Sequence, residues 1–151
     1  MFEAKLKEMG IELPQAPKPL AAYVPAVQAG DLVYTSGQLP MAAGELKCSG
    51  KVGLDVSLED AYEAAKLCAI NCLSALKGEI GCLDKIGRIV KVTGFVNSAP
   101  GFTSQPKVIN GASEFFVEVF GEAGKHARAA VGVNELPIDA AVEVEIIVKL
   151  K

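Results

Sequence analysis

The sequence predicts an α+β domain: one mixed β-sheet with two helices packed on a single face. Three observations carry this. Apolar residues recur at helical spacing over about 57–78 and 104–121. Between and around these stretches lie short runs rich in Val, Ile and Thr, in the order two strands and a small edge segment, helix, strand, helix, two strands, which suits one helix layer on one sheet. The length, 151 residues of which 50% are hydrophobic and 22% charged, matches a single domain with a sizeable core.

Each element has its own justification. Residues 1–20 read as an arm, a short amphipathic helix at about 2–9 followed by the Pro-rich Leu13-Pro-Gln-Ala-Pro-Lys-Pro-Leu20, and residues 21–151 as the domain proper. Tyr23 to Gln28 and Leu32 to Ser36 form a hairpin split by Ala29-Gly-Asp31, where Gly and Asp favour a tight turn. Glu45 to Ser49, bracketed by Gly44 and Gly50, reads as a small edge strand. Ser57 caps a helix of about 20 residues, with Asp60 three positions on and apolar positions from Leu58 to Leu76, stopped at Gly78. Ile86 to Val96 is a strand, and Ser104 opens the next helix, whose Phe115, Phe116 and Phe120 belong to an apolar stripe ending at Gly121. Strands at about 127–134 and 142–150 close the chain. In the last strand Val142, Val144, Ile146, Val148 and Leu150 make one apolar face and Glu143, Glu145, Ile147 and Lys149 a mixed one. With both helices on one face of the sheet, the other face is a candidate contact between copies of the chain.

Composition excludes several function classes. The net charge is -3, so no basic excess points to nucleic acid or an anionic membrane. No apolar run reaches the roughly 18 residues of a membrane span, and the charged first ten residues do not resemble a signal peptide; a soluble, cytoplasmic protein is expected. Cys48, Cys68, Cys72 and Cys82 read as reduced thiols, since with His126 they match no zinc-ligand spacing. A single histidine also leaves little room for a Ser/His/Asp or Cys/His hydrolase.

Arginine is scarce, with Arg88 and Arg128 against 13 lysines. Arg88 stands near the start of an apolar strand, where exposure accounts for it. Arg128 alternates with small residues in Ala127-Arg-Ala-Ala-Val-Gly-Val133, sharing a strand face with Ala130, Gly132 and Asn134. Two readings stay open: an anchor for a planar carboxylate or phosphate, or a structural ion pair with Glu143 or Glu145 at an interface. Glu143, in an apolar setting, can hold a water and exchange a proton, or be an exposed edge residue. The two strands that carry Arg128 and Glu143 should run antiparallel, placing these residues roughly 15 Å or more apart in one chain at about 3.3 Å per residue. They could share a small substrate only across a subunit boundary.

At this level of detail the chain resembles the RidA/YjgF-like family, the reactive intermediate deaminases also called endoribonuclease L-PSP proteins. The resemblance runs from about Ala21 to the C-terminus. Its parts are Tyr23, Tyr34-Thr-Ser-Gly-Gln-Leu-Pro40, Asn110, and most specifically Ala127-Arg-Ala-Ala-Val-Gly-Val-Asn-Glu-Leu-Pro137 followed by Val142-Glu-Val-Glu145. It implies a chorismate-mutase-like fold, a homotrimer with a central barrel, ligand sites between subunits, and hydrolysis of 2-imino or 2-enamino acids to 2-keto acids and ammonia without a cofactor. It further implies that Arg128 binds the substrate carboxylate, Glu143 positions the attacking water, Tyr23 and Asn110 line the pocket, and Gly37 contributes backbone contacts. Without the resemblance, Tyr23 reads equally as an interfacial aromatic and Asn110 as a polar position in the first turns of a helix. His126, Ala130 and Asn134 depart from the residues usual in the family.

Two further functions compete with deamination. One is a non-catalytic trimer that binds a 2-keto acid as a sensor or regulator, which would use the same Arg128. The other, from the family's older name, is an endoribonuclease, against which the acidic net charge, two arginines and one histidine argue.

Overall fold

The computed structural model describes residues 1–16, 18 and 21–151. Pro17, Pro19 and Leu20, at the end of the Pro-rich arm, lie outside the described residues. Helix α1 spans Phe2–Glu8, strands β1 and β2 span Ala26–Ala29 and Leu32–Thr35, and β3 and β4 span Met41–Ala42 and Glu45–Leu46. They are followed by α2 (Leu58–Ile80), β5 (Ile86–Asn97), α3 (Gln105–Phe120), β6 (Ala127–Val133) and β7 (Val142–Leu150). Five strands form one sheet in the order β1-β2-β7-β5-β6, in which only β5 and β6 run parallel. The chain is therefore α+β, with a mixed sheet and α2 and α3 on one face.

The core lies between that face and the two long helices. Val92, Val96, Val142, Val144, Ile146 and Val148 point from the sheet toward Cys68, Cys72, Leu73, Leu76, Phe115 and Phe116, all essentially sealed from solvent. Close approach requires two interior glycines. A Cβ on Gly94 would stand 2.4 Å from Ile109 of α3, and one on Gly111 would stand 2.0 Å from the Tyr62 carbonyl of α2.

The ends of several elements differ from expectation for identifiable reasons. Helix α2 starts as predicted, with Ser57 Oγ accepting from the Asp60 amide at 3.1 Å, but runs past Gly78 to Ile80 and ends on Gly81 at φ 84°. Gly78 does not stop the helix; it admits the arm, whose Ala16 lies 2.7 Å from where its Cβ would be. Strand β1 begins at Ala26, not Tyr23, because Pro25 has no amide hydrogen for the ladder, although its carbonyl still accepts from Ser36. The edge segment is a miniature hairpin of β3 and β4, turned by Ala43 and Gly44 at φ 52° and 77°, and Asn71 of α2 ties it down by donating to the Leu39 and Met41 carbonyls. Ser104 occupies the cap position of α3 without a side-chain cap bond. Helix α1 packs Phe2 on Phe120 and buries Leu6 in the common core.

Among the described residues no helix lies on the opposite sheet face. Across it the register aligns Val27, Tyr34, Ile147, Lys91 and Ala127 in one row, Glu145, Thr93 and Ala129 in the next, and Glu143, Phe95 and Val131 in a third. Val27, Tyr34 and Val131 are exposed there. Among the described residues no helix is long and apolar enough to cross a membrane.

Candidate active site

Strand β5 inserts between β6 and β7, so the strands of Arg128 and Glu143 are antiparallel but not adjacent. Val92 pairs with Arg128 on one side, and Phe95 pairs with Glu143 on the other. The two residues are thus three ladder steps and two strands apart, about 14 Å between Cα atoms at about 3.3 Å per residue and 4.8 Å per strand. They also lie on opposite faces: Arg128 on the helix face with Val92, Glu143 on the open face with Phe95. The faces were not legible in the sequence, because they depend on the register in which β6 and β7 each join β5.

On the helix face, Arg128 stands on an edge strand beneath α3. Its Nη1 donates to Asn110 Oδ1 at 2.8 Å and to Ser113 Oγ at 3.2 Å. Ser113 also lies 2.9 Å from His126 Nε2, and His126 Nδ1 lies 2.6 Å from the Gly124 carbonyl. Among the described residues no carboxylate forms an ion pair with Arg128. Its partners in the chain are neutral acceptors on one nitrogen, so the rest of the guanidinium fork can take a planar anion. Sequence reasoning named Arg128 as an anchor and, through the resemblance, Asn110 as a pocket-lining residue, but did not place them in contact and left Ser113 unmarked. The signal was there: Ser113 is three residues after Asn110 on one helix face, and His126 is two residues before Arg128, just ahead of β6.

On the open face, Glu143 lies against Gly37, whose Cβ would stand 2.3 Å from Glu143 Oε1. Gln38 and Val144 exchange backbone hydrogen bonds at 2.8 and 3.0 Å and hold the two segments together. Burial, and then the nearby Glu145 charge, push the Glu143 carboxyl above its ordinary value. Tyr23 is well exposed, at 61%, ahead of β1. The five predicted residues therefore fall into two groups, Asn110 with Arg128 and Gly37 with Glu143, while Tyr23 lies next to Val24, whose carbonyl accepts from Ser36 Oγ beside Gly37. A cavity of about 880 Å³ under the arm, lined by Leu6, Leu13 and Lys77 among others, contains none of them.

With this geometry in hand, comparison with known proteins is informative. The family profile described as "YjgF/chorismate_mutase-like, putative endoribonuclease" matches residues 3–150. The chain belongs to the YjgF family. It is 43% identical over 148 residues to protein TCP17 of Trypanosoma cruzi, covering 97% of this chain and 92% of that one. It is 34% identical over 133 residues to the 2-iminobutanoate/2-iminopropanoate deaminase of Salmonella typhimurium, covering 87% and 90%. Among solved YjgF-like structures, the protein Atu1372 of unknown function from Agrobacterium tumefaciens superposes with a TM-score of 0.93 at 48% identity, covering 99% of this chain and 92% of that one. E. coli TdcF with bound serine superposes at 0.63 with 27% identity, covering 91% and 94%. YjgF relatives at about 30% identity thus include named imine deaminases, while the more similar TCP17 and Atu1372 carry no activity in their names.

Proposed function

We propose that the protein hydrolyses reactive 2-imino or 2-enamino acids to 2-keto acids and ammonia, in clefts where one copy of the chain supplies Arg128 and Asn110 and a neighbour supplies Glu143 and Gly37. The observation that carries this is the Arg128 guanidinium, held by Asn110 and Ser113 with no acidic partner among the described residues. Such a group binds the carboxylate common to these substrates. The uncovered face that bears Glu143 also exposes Val27, Tyr34 and Val131, which supports burial against further copies in a homotrimer.

The chemistry asks little of the protein. Water adds to the electrophilic C2 of the protonated imine while Glu143 takes one of its protons, giving a carbinolamine. Glu143 returns that proton to nitrogen; as the C2–N bond breaks and the C2–O double bond forms, the hydroxyl proton passes to Glu143 and from there to the departing ammonia, which leaves as ammonium. Burial raises the Glu143 carboxyl above its ordinary value, which makes it a better proton acceptor than a solvated carboxylate, and Arg128 fixes the substrate so that the water meets C2. Tyr23 lines the cleft from the exposed segment before β1. Neither a metal nor an organic cofactor has a role in this scheme.

The separation of Arg128 and Glu143 within a chain supports a second reading, a carboxylate-binding protein that releases its ligand unchanged if copies do not bring the half-sites together. One experiment separates them: the decay of 2-iminopropanoate, made in situ by an amino-acid oxidase acting on L-alanine and trapped with semicarbazide. Acceleration by substoichiometric protein, lost in Arg128→Ala, is expected. Binding of 2-oxobutanoate without acceleration across several amino-acid precursors would establish the second reading.

A further inference from the structure

Hydrogen-bond direction around Arg128 is fixed by what each atom can do. A carbonyl oxygen only accepts, so the 2.6 Å contact with Gly124 places the imidazole proton of His126 on Nδ1. In the neutral ring Nε2 is then bare, and the Ser113 hydroxyl, 2.9 Å away, donates to it. With its proton committed, Ser113 turns a lone pair to Arg128 Nη1 at 3.2 Å. The result is a chain polarised in one sense, from Arg128 through Ser113 and His126 to Gly124. The surroundings keep the ring neutral and still. Burial, opposed by the Gly124 bond and aided by the Arg128 charge, holds the imidazole below its ordinary value, and the Phe116 ring of α3 packs edge-on against it at 6.1 Å. Other charges nearby are otherwise engaged: Arg88 of β5 donates to the Lys125 carbonyl, Lys125 pairs with Glu122, and Glu114 of α3 accepts from Tyr62 of α2.

We propose that Ser113 and His126 are positioning residues that orient Arg128 for a carboxylate ligand: the bare Nε2 of His126 sets the Ser113 hydroxyl, and the hydroxyl, with Asn110, pins Nη1 so that the remaining guanidinium hydrogens face outward. This deepens the proposed function and rests on its reading of Arg128 as the carboxylate anchor. The bonds supply direction as much as strength, since an arginine tethered at one nitrogen by two acceptors has lost most of the rotamers it would otherwise give up on binding. Neither positioning residue need touch the substrate.

The test uses the full-length protein and 2-oxobutanoate as probe, with affinity measured by calorimetry and the imidazole followed by NMR, where the single histidine makes assignment unambiguous. Ser113→Ala and His126→Leu are expected to weaken binding about tenfold, the order of one hydrogen bond to a charged group. His126→Gln, whose amide offers an acceptor to Ser113 and a donor to Gly124, should recover most of what His126→Leu loses. In the wild type the spectrum should show the Nδ1–H tautomer, with an Nε2 signal that moves when 2-oxobutanoate binds and stays still in Ser113→Ala. If Arg128→Ala binds the probe as well as the wild type, the anchor reading falls and the relay with it. If Arg128→Ala abolishes binding but Ser113→Ala binds normally, or the wild-type ring carries its proton on Nε2, the relay alone is overturned. Should His126→Leu fail to fold, the Ser113→Ala affinity and the wild-type spectrum still decide.

Discussion

Gly37 and Glu143 compete for one volume: the Cβ that any other residue would place at position 37 lies 2.3 Å from Glu143 Oε1 and 2.9 Å from its Cδ. Gly37 is not among the residues with positive φ, so the backbone there tolerates alanine, and the nearest obstacle is the Glu143 side chain, through its Oε1, Cδ and Cγ atoms. Because that obstacle is the end of a flexible side chain, Gly37→Ala should rotate Glu143 aside and leave the fold intact. Under the proposed hydrolysis, displacing the proton acceptor by about 1 Å costs on the order of 10²-fold in kcat. Steady-state kinetics beside a thermal melt checks this. A normal kcat with a normal Tm would remove Glu143 from the chemistry.

The same carboxylate has a stability signature. Burial raises the Glu143 carboxyl above its ordinary 4.5, so the folded protein holds this proton more tightly than the unfolded chain. Its contribution to stability is therefore full below about pH 4.5 and is lost as pH rises through the raised value. Glu143→Gln does not titrate. The difference in Tm between Glu143→Gln and the wild type should move in favour of the variant as pH climbs above 4.5 and level off once the folded carboxyl has ionised. A difference that is flat with pH, or that grows toward acid, would show that Glu143 is not desolvated as described.

How far the sequence could be read depended on the range of the interaction involved. Helices α2 and α3 were legible because their apolar periodicity is local and reports one buried face. Gly78 misled because glycine normally marks a helix end, whereas here its missing side chain makes room for Ala16, a contact 62 positions away in the chain that no local rule reports. The alternation of β6 showed that Arg128 sits among small neighbours, but not that α3 brings Asn110 and Ser113 over it. Likewise the period of β7 separated Glu143 from the apolar positions, while the burial of Val142 and Val144 against α2 decided which face is open. The candidate residues were named by pattern and resemblance; the placement of Arg128 and Glu143 on opposite faces follows from register, which sets them against Val92 and Phe95, three residues apart on β5.

The cysteines bear on the same region. Cys68 and Cys72, one turn apart on α2, donate to the Val142 and Val144 carbonyls at 3.7 and 3.4 Å, on either side of Glu143 in β7. Burial pushes the Cys72 thiol up to about 12 and Cys68 well above its ordinary value, so neither forms thiolate near neutrality. Cys48 and Cys82 are only partly buried. Ellman's reagent should therefore count two thiols in the native protein and four after denaturation. Four thiols reacting at one rate in the native state would contradict this packing.

The seam between α2 and α3 offers the sharpest stability test. Gly111 lies in the middle of α3, where glycine costs about 0.5–1 kcal/mol relative to alanine on helix propensity alone, so an exposed site would gain from Gly→Ala. Here a Cβ would stand 2.0 Å from the Tyr62 carbonyl oxygen and 2.9 Å from its carbon, both backbone atoms of α2, which cannot rotate out of the way. The helices would have to separate. Doing so opens the contact of Ala65, Ala112 and Phe116, which are buried in the common core. Overpacking of this kind costs about 2–3 kcal/mol and outweighs the propensity gain. For a chain of this size that lowers Tm by roughly 5–10 °C. Gly81→Ala is a useful comparison, since no atom lies within 4 Å of its Cβ position and any loss there comes from its φ of 84°. Adding a methyl group at Gly111 without lowering Tm would mean that α2 and α3 are not in backbone contact, and that Asn110 and Ser113, on the same helix, are not held over Arg128 by this seam.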